Sequence, residues 1–356
     1  MWRADRDSTE SALAKERATI ADVARAAGVS KGLVSFALND RPGVAPETRR
    51  RILVVADELG WRPSTRARAL STDRSFALGL VVARDPLIIA GDPFFPAFIS
   101  GIESALAPVG QALVLSMVAD QDAELASYRR LVADDRVDGV ILSDLRVDDP
   151  RVALVQELRL HAVTLGRPDV ETSIPAVCLD DAPGIQAAVA HLASLGHRRI
   201  AHVAGPPEML HGRRRRASFA AALEGLGLSS DLVVETDFSP ADGAEATRDL
   251  MRLADRPTAI VYANDPMAVA GLGVVQRMGF RVPDDLSITG FDGSEIGQYL
   301  HPSLTTVTTR VQDWGRTAAE LLLRVIQGDR VEDIELEPAR LVIGESSGTP
   351  PTTTAR

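Results

Sequence analysis

The chain has 356 residues, 45% of them hydrophobic and 25% charged, enough apolar material for more than one folded unit. No run of eighteen apolar residues occurs, the first residues alternate charges without an apolar stretch, and the only cysteine is Cys178. A membrane span, a secretory signal and an internal disulfide are thereby excluded, and the composition fits a reducing cytoplasm. The formal net charge of −10 is uneven: residues 1–70 hold 13 Lys and Arg against 9 Asp and Glu, the remainder 26 against 40. A basic head on an acidic body suits a head that meets a polyanion.

Residues 1–17 lack apolar periodicity and read as a disordered arm. Ile20, Val23, Ala24 and Ala27 then fall on one helical face, with Thr19 and Asp22 in a capping box and Gly28 as a left-handed stop. Ser30 caps a second helix through about Leu38, with Val34, Ala37 and Leu38 on its apolar side. Two short helices joined by "GVS" form a helix-turn-helix. Pro46 opens a third helix, with Ile52, Val55, Ala56 and Leu59 inside and Gly60 at its end. A basic linker, "WRPSTRARALSTDRS", covers 61–75.

Beyond it, strand-length apolar runs (76–83, 112–118, 138–143, 199–205, 258–264, 286–292) alternate with amphipathic stretches (97–109, 122–133, 184–195, 215–226, 243–254, 266–278). Strands buried on both faces and separated by helices predict parallel α/β sheets, with length for two. The tail "SSGTPPTTTAR" is expected to be disordered.

The second helix offers Lys31, Gly32, Ser35, Phe36 and Asn39, beside Leu33, to a major groove. Ser30 and the helix N-terminus suit a phosphate oxygen, and Arg49, Arg50 and Arg51 can neutralise backbone charge. A three-helix interaction module with a solvated basic face is the alternative.

Residues 19–70, "TIADVARAAGVSKGLVSFALNDRPGVAPETRRRILVVADELGWRPSTRARAL", resemble the DNA-binding head of the lactose-repressor (LacI/GalR) family of bacterial regulators. Further family signatures are "DPFF" (92–95), "LGRP" (165–168), "LGHRRIAHVAGP" (195–206), "AND" (263–265), "GFDG" (290–293) and "PSLTTV" (302–307), so the resemblance spans about 18–347. Phe36 stands where many members carry a base-reading Arg, and Gly32 where a longer side chain is common. The resemblance implies an all-α helix-turn-helix head (18–62), a hinge helix (63–75) and an α/β periplasmic-binding-protein-like effector domain of two Rossmann-like subdomains (76–347). The N-subdomain would take about 76–179 and 311–338, the C-subdomain about 180–307 and 339–347, leaving a disordered 348–356. It adds Thr19, Thr48, Arg66 and Ala67 to the DNA-facing residues and makes Leu70 a wedge in the central minor-groove step. Without it, 64–70 read better as a flexible tether with Leu70 packed on the body.

Asn264 and Asp292 end apolar strands, where ligands of open α/β sheets sit, and the resemblance places both in an effector pocket. Asp292 as a cap of the following turn is the structural alternative. Phe94, Phe95 and Phe238 read as loop aromatics for stacking on a ligand ring. Within "RRRR" (213–216), a solvated face, the family spacing selects Arg215 with Phe219 as the cleft arginine, with Ser218 replacing a glycine. Trp314 reads as packing. His191, His197, His202 and His211 fall on a helix, its end, a strand and a loop, which is not zinc spacing, and no cofactor or metal site is read. Nor does any nucleophile or acid/base pair suggest an enzyme. The expected partners are a near-palindromic DNA operator, a small effector (a sugar), and a second copy in a homodimer, with no membrane. Repression relieved by ligand is the favoured logic. An activator, a corepressor-dependent or phosphocarrier-dependent regulator, and a purine- or nucleoside-responsive repressor are the alternatives.

Overall fold

The computed structural model describes residues 18–38, 41–61 and 74–351. The chain divides into two compact units, 1–76 and 77–356.

Among its described residues the first unit has three helices: α1 (Ile20–Ala27), α2 (Lys31–Leu38) and α3 (Pro46–Glu58). The Asp22 carboxylate accepts both the backbone N–H (2.9 Å) and the hydroxyl (2.7 Å) of Thr19, which fixes the start of α1. Gly28, at φ 65°, ends it, where a Cβ would be strained. Val23, Ala24, Ala27, Val34, Ala37, Ile52 and Ala56 form the buried centre. Leu59, expected inside, is exposed, one turn beyond the last buried position of α3.

The second unit contains two six-stranded sheets. In chain order the elements are β1 (Ala77–Ala83), α4 (Pro86–Gly91), α5 (Phe94–Leu106), β2 (Ala112–Val118), α6 (Gln121–Ala133), β3 (Gly139–Leu142), α7 (Pro150–Glu157), β4 (His161–Leu165), β5 (Ala176–Cys178) and α8 (Ala182–Ser194). There follow β6 (Ile200–Ala204), α9 (Leu210–Gly225), β7 (Val233–Glu235), α10 (Pro240–Arg252), β8 (Ala259–Tyr262), α11 (Asp265–Arg277), β9 (Ser287–Asp292), β10 (Thr305–Thr308), α12 (Val311–Ile326), β11 (Ile334–Glu335) and β12 (Arg340–Val342). The N-lobe sheet runs β11-β5-β4-β3-β1-β2 and is parallel; the C-lobe sheet runs β12-β10-β9-β8-β6-β7, with only β12 antiparallel. The strands switch between sheets after β5, after β10 and after β11, so three crossings join the lobes.

Each sheet is covered on both faces. In the N-lobe, Phe98, Ile102 and Leu106 of α5 pack with Ala318, Ala319 and Leu322 of α12, while Tyr128, Leu131 and Val155 cover the other side. A Cβ on Gly101 would fall 2.0 Å from the Gln312 carbonyl oxygen, and one on Gly315 2.2 Å from that of Phe98, so α5 and α12 touch backbone to backbone. In the C-lobe, α8 and α9 cover one face through Ile185, Val189, Phe219 and Leu223, and α10 and α11 the other through Leu250, Met267 and Leu272.

Besides the crossings, a short antiparallel backbone contact joins the lobes. Val147 N–H donates to the Glu208 carbonyl (2.9 Å) and Leu210 N–H to that of Leu145 (2.8 Å). Leu210, at the start of α9 in the C-lobe, buries its side chain in the N-lobe cluster with Leu145 and Val155.

The expected disorder of the tail is corrected for its described part, through residue 351. Ser346 is fully buried, its hydroxyl donating to the Ile288 carbonyl (2.6 Å). His191 Nε2 meets the Ser347 hydroxyl (2.9 Å), and His197 Nε2 meets the Gly348 carbonyl (2.9 Å) and the Ser287 hydroxyl (3.0 Å). Small hydroxyl residues look like a solvated tail by composition; here they satisfy polar groups that packing against the sheet edge removes from water. Residues 352–356 and the arm 1–17 lie outside the described residues.

Candidate functional site

In the first unit, α2 starts where Ser30 Oγ accepts the Leu33 N–H (3.2 Å). Burial of Val34 and Ala37 on its inner side turns Lys31, Gly32 and Phe36 outward and leaves Leu33 and Ser35 half-buried. Nothing stands within contact of a Cβ on Gly32 except the Ser30 hydroxyl at 3.9 Å, so this face is open and low in relief. Phe36 is 42% exposed, and the Arg41 guanidinium lies 5.8 Å from its ring centroid. Arg50 and Arg51 are exposed on α3, and Thr48 is half-buried. Two of the expected phosphate contacts have internal duties: the Thr19 hydroxyl donates to Asp22, and Arg49 Nη2 donates to the Arg41 carbonyl (2.7 Å), bracing the α2–α3 loop. Asn39, Arg66, Ala67 and Leu70 lie outside the described residues.

In the second unit, a cleft that opens to solvent lies between the carboxyl ends of the two sheets. All six expected residues, Phe94, Phe95, Arg215, Phe238, Asn264 and Asp292, line it.

Arg215, 7% exposed, donates through Nε to Asp181 (3.2 Å) and through Nη1 to the Ala263 carbonyl (2.6 Å). Its guanidinium lies 3.7 Å from the Phe291 ring centroid, and Nη1 stands 3.9 Å from Asp292 Oδ1. Burial, and then the nearby Asp92, Asp265 and Asp181, raise the Asp292 carboxyl well above its usual range against the pull of Arg215. No hydrogen bond among the described residues ties Asp292 to the turn that follows it. The neighbouring Asp265 does that work, accepting the Ser294 N–H and the Thr306 hydroxyl, both at 2.6 Å. Asn264 caps α11: its Oδ1 accepts the Met267 N–H and its Nδ2 donates to the Phe238 carbonyl, each at 2.9 Å.

The aromatic residues differ from the sequence reading. Phe94 and Phe95 open α5 instead of sitting in a loop, and Phe95 and Phe238 are each only 3% exposed. Phe95 belongs to the N-lobe core, and the Phe238 ring packs on Gly205, stacks on His211 at 5.2 Å and so fills a space that loop chemistry does not announce. Phe94 is half-buried and meets Trp314 edge to face at 6.1 Å. Trp314 both packs and lines the cleft, its Nε1 donating to the Val177 carbonyl (3.0 Å). His211 also lines the cleft from the first turn of α9, not from a loop, and burial pushes it down to about 3.

The sequence reading missed Arg84, Asp92, Ser143, Asp144 and Asp181, which complete the wall. Arg84 follows β1, Ser143 and Asp144 follow β3, and Asp181 follows β5. The rule that located Asn264 and Asp292, applied to every strand end, finds them. Arg84 donates through Nε to Asp144 (2.6 Å) and through Nη2 to Met209 Sδ (3.3 Å). Against the desolvation of burial, Arg84 and then His211 hold the Asp144 carboxyl below the usual range, while burial raises that of Asp92. Among the described residues no group of His, Cys, Asp and Glu is arranged for a metal ion, and no helix is long and apolar enough to cross a membrane.

Residues 19–64 match the lacI family of bacterial regulatory proteins, and residues 189–347 match the periplasmic binding protein-like domain. Over 92% of this chain and 96% of the relative, the sequence is 34% identical to the HTH-type transcriptional regulator CelR of Thermobifida fusca. The chain belongs to the lacI family of bacterial regulatory proteins. It is 31% identical to the HTH-type transcriptional repressor PurR of Photobacterium profundum, over 92% of this chain and 98% of that one. Among solved structures it is similar to a complex of the regulator CelR with cellobiose (TM-score 0.71, 32% identity, 93% of this chain and 100% of that one). It is also similar to the lac repressor dimer bound to operator and the anti-inducer ONPF (TM-score 0.79, 28% identity, 94% and 100%). As a member of this family the chain is a DNA-binding transcriptional regulator and not an enzyme.

Proposed function

We propose that this regulator is a cytoplasmic, homodimeric repressor whose hold on a near-palindromic operator is controlled by a small saccharide in the interlobe cleft. The observation that carries the ligand class is the cleft wall: the aspartates Asp92, Asp144, Asp181 and Asp292 beside the half-buried rings of Phe94 and Trp314. Carboxylates accept sugar hydroxyls, and aromatic surfaces meet the apolar face of a pyranose. The relatives include a regulator solved with cellobiose and a repressor solved on its operator, which supports the same reading. Lys31, Ser35 and Phe36 are assigned to base edges, and Ser30, Thr48, Arg50 and Arg51 to phosphates.

Two measurements test this. Anisotropy on DNA selected from a random pool by the purified chain is expected to weaken with salt, with a log–log slope of roughly −5 if a dimer neutralises about six phosphates. A flat response overturns operator binding by the basic head. Asp292→Asn keeps size and one acceptor oxygen but removes the charge. It is expected to bind the saccharide about tenfold more weakly, a loss of about 1–3 kcal/mol, while holding DNA as tightly as the parent. Unchanged saccharide affinity removes Asp292 from the site.

A further inference from the structure

Arg84 reaches across the cleft with both a charge and a flat surface. Its ion pair is with Asp144 of the N-lobe, its second donor points to Met209 of the C-lobe, and its guanidinium carbon lies 5.8 Å from the Phe95 ring centroid and 5.2 Å from that of Phe238. Each of these rings comes from a different lobe, and His211 stacks on Phe238 as well. Neither ring therefore offers a free face to a ligand. The remaining aromatic surface is Phe94 with Trp314.

The charges of the cleft are similarly committed. Arg84 is paired with Asp144 and Arg215 with Asp181, with Asp292 3.9 Å from the same Arg215 and Asp92 in no ion pair among the described residues; Arg214 is exposed at the rim. Ser143 adds a polar atom of a different kind. It is 3% exposed, lines the cleft, and its hydroxyl has no hydrogen-bond partner among the described residues. A buried hydroxyl without a partner carries a cost that a ligand hydroxyl removes.

We infer that Arg84 sets the specificity of the cleft: covering the Phe95 and Phe238 rings and neutralised by Asp144, it refuses a flat base and a phosphate alike, and the space left along Phe94, Trp314, Ser143 and Asp92 takes an uncharged saccharide. This rests on the saccharide reading and narrows it. A purine finds no free ring face at Phe95 or Phe238, the two rings that Arg84 spans. A phosphate would have to shed its water in a cleft where both buried guanidinium groups are already paired with aspartates, which desolvation opposes.

The test is calorimetric titration of the full chain with cellobiose, maltose, glucose, galactose, glucose 6-phosphate and adenosine. At least one uncharged saccharide is expected to bind about 100-fold more tightly than either glucose 6-phosphate or adenosine, the margin that an uncompensated charge or an unfilled stack imposes. In Arg84→Ala/Asp144→Asn, which removes the pair without stranding a buried carboxylate, the margin over adenosine is expected to shrink about tenfold as the ring faces open. Arg84→Lys, which keeps the ion pair but loses the planar group, serves as the second variant and is expected to shrink it in the same direction. A saccharide that binds the parent with a margin unchanged in both variants overturns the role of Arg84 and leaves the saccharide reading standing. Preferential binding of glucose 6-phosphate or adenosine, or no binding by any uncharged saccharide, overturns both.

Discussion

In the head, Lys31, Arg50 and Arg51 stand exposed on α2 and α3. In the body, Arg84, Arg151 and Arg215 are at most 9% exposed, and each meets a carboxylate within 3.2 Å. The two regions use the same type of charge for opposite ends. A solvated cation keeps its capacity to displace counterions from a polyanion. A buried guanidinium already neutralised by aspartate has none left for a phosphate, and contributes shape and fixed donors instead.

Breaking a buried pair gives the largest effect. Arg151 joins Asp149 (2.6 Å) and Glu124 (2.8 Å), all three almost fully buried, and Arg146 closes on the same Glu124 (2.7 Å). Arg151→Met keeps the volume but leaves Asp149 without its cation and Glu124 with Arg146 alone, beside Tyr128, whose own hydroxyl is buried without a partner among the described residues. Urea unfolding of the variant is expected to show a loss of about 3–5 kcal/mol. A loss below about 1 kcal/mol, typical of exposed pairs, would mean that water reaches the network.

The contrast is sharpened in the head, where the expected effects are smaller and separable. Lys31→Ala, at the first turn of α2, should lower affinity for the selected operator by about 1–3 kcal/mol and relax base preference. Arg50→Ala should weaken all sequences alike and reduce the salt slope by about 1. Arg49→Ala should lower the melting temperature through the Arg41 carbonyl without changing that slope, because its guanidinium holds the loop. Anisotropy on operator and scrambled DNA at several salt concentrations separates the three.

What was legible in the sequence followed from local chemistry. Gly28 after Ala27 and Pro46 before a run of helix formers mark α1 and α3, and unbroken apolar runs mark β1, β3, β6, β8 and β9. Asn264 and Asp292 were legible because they end such runs. Short pieces, β5, β7, β11 and β12, carry too few residues for a periodic signal and exist because a neighbouring strand pairs with them. The cleft charges were illegible for another reason. Arg84 and Asp144 are 60 positions apart, and which surface arginine becomes a buried one depends on the sheet order β3-β1, not on the residues flanking it. The same holds for Phe238, whose burial is decided by Gly205 on a different strand end.

The last effect is spread over pH and concerns His202 and His211, whose treatment of charge again sets body against head. His202 lies on β6, fully buried, with Nδ1–H donating to the Val261 carbonyl (2.8 Å), Nε2 without a partner among the described residues, and its ring stacked on Phe219 at 4.8 Å. Burial pushes it down to about 4, and His211 to about 3, from the ordinary value of 6.5. Below pH 6.5 the unfolded chain takes up a proton that the folded chain refuses, so the stability these groups contribute is complete above that pH and falls as pH drops towards 4, by up to about 1.4 kcal/mol per pH unit for each group. Asp265, raised by burial to about 6, acts in the opposite direction over pH 4–6, and so do Asp92 and Asp292, whose carboxyls burial also raises, since the folded form keeps each proton longer. The histidine contribution is therefore read from the difference in melting temperature between the parent and a histidine variant over pH 6.5–4.5. His202→Asn, which keeps a short donor for Val261 but cannot protonate, should lower the melting temperature at neutral pH by loss of the Phe219 stack while making the pH slope shallower. An unchanged slope would assign the acid sensitivity to His211 in the cleft.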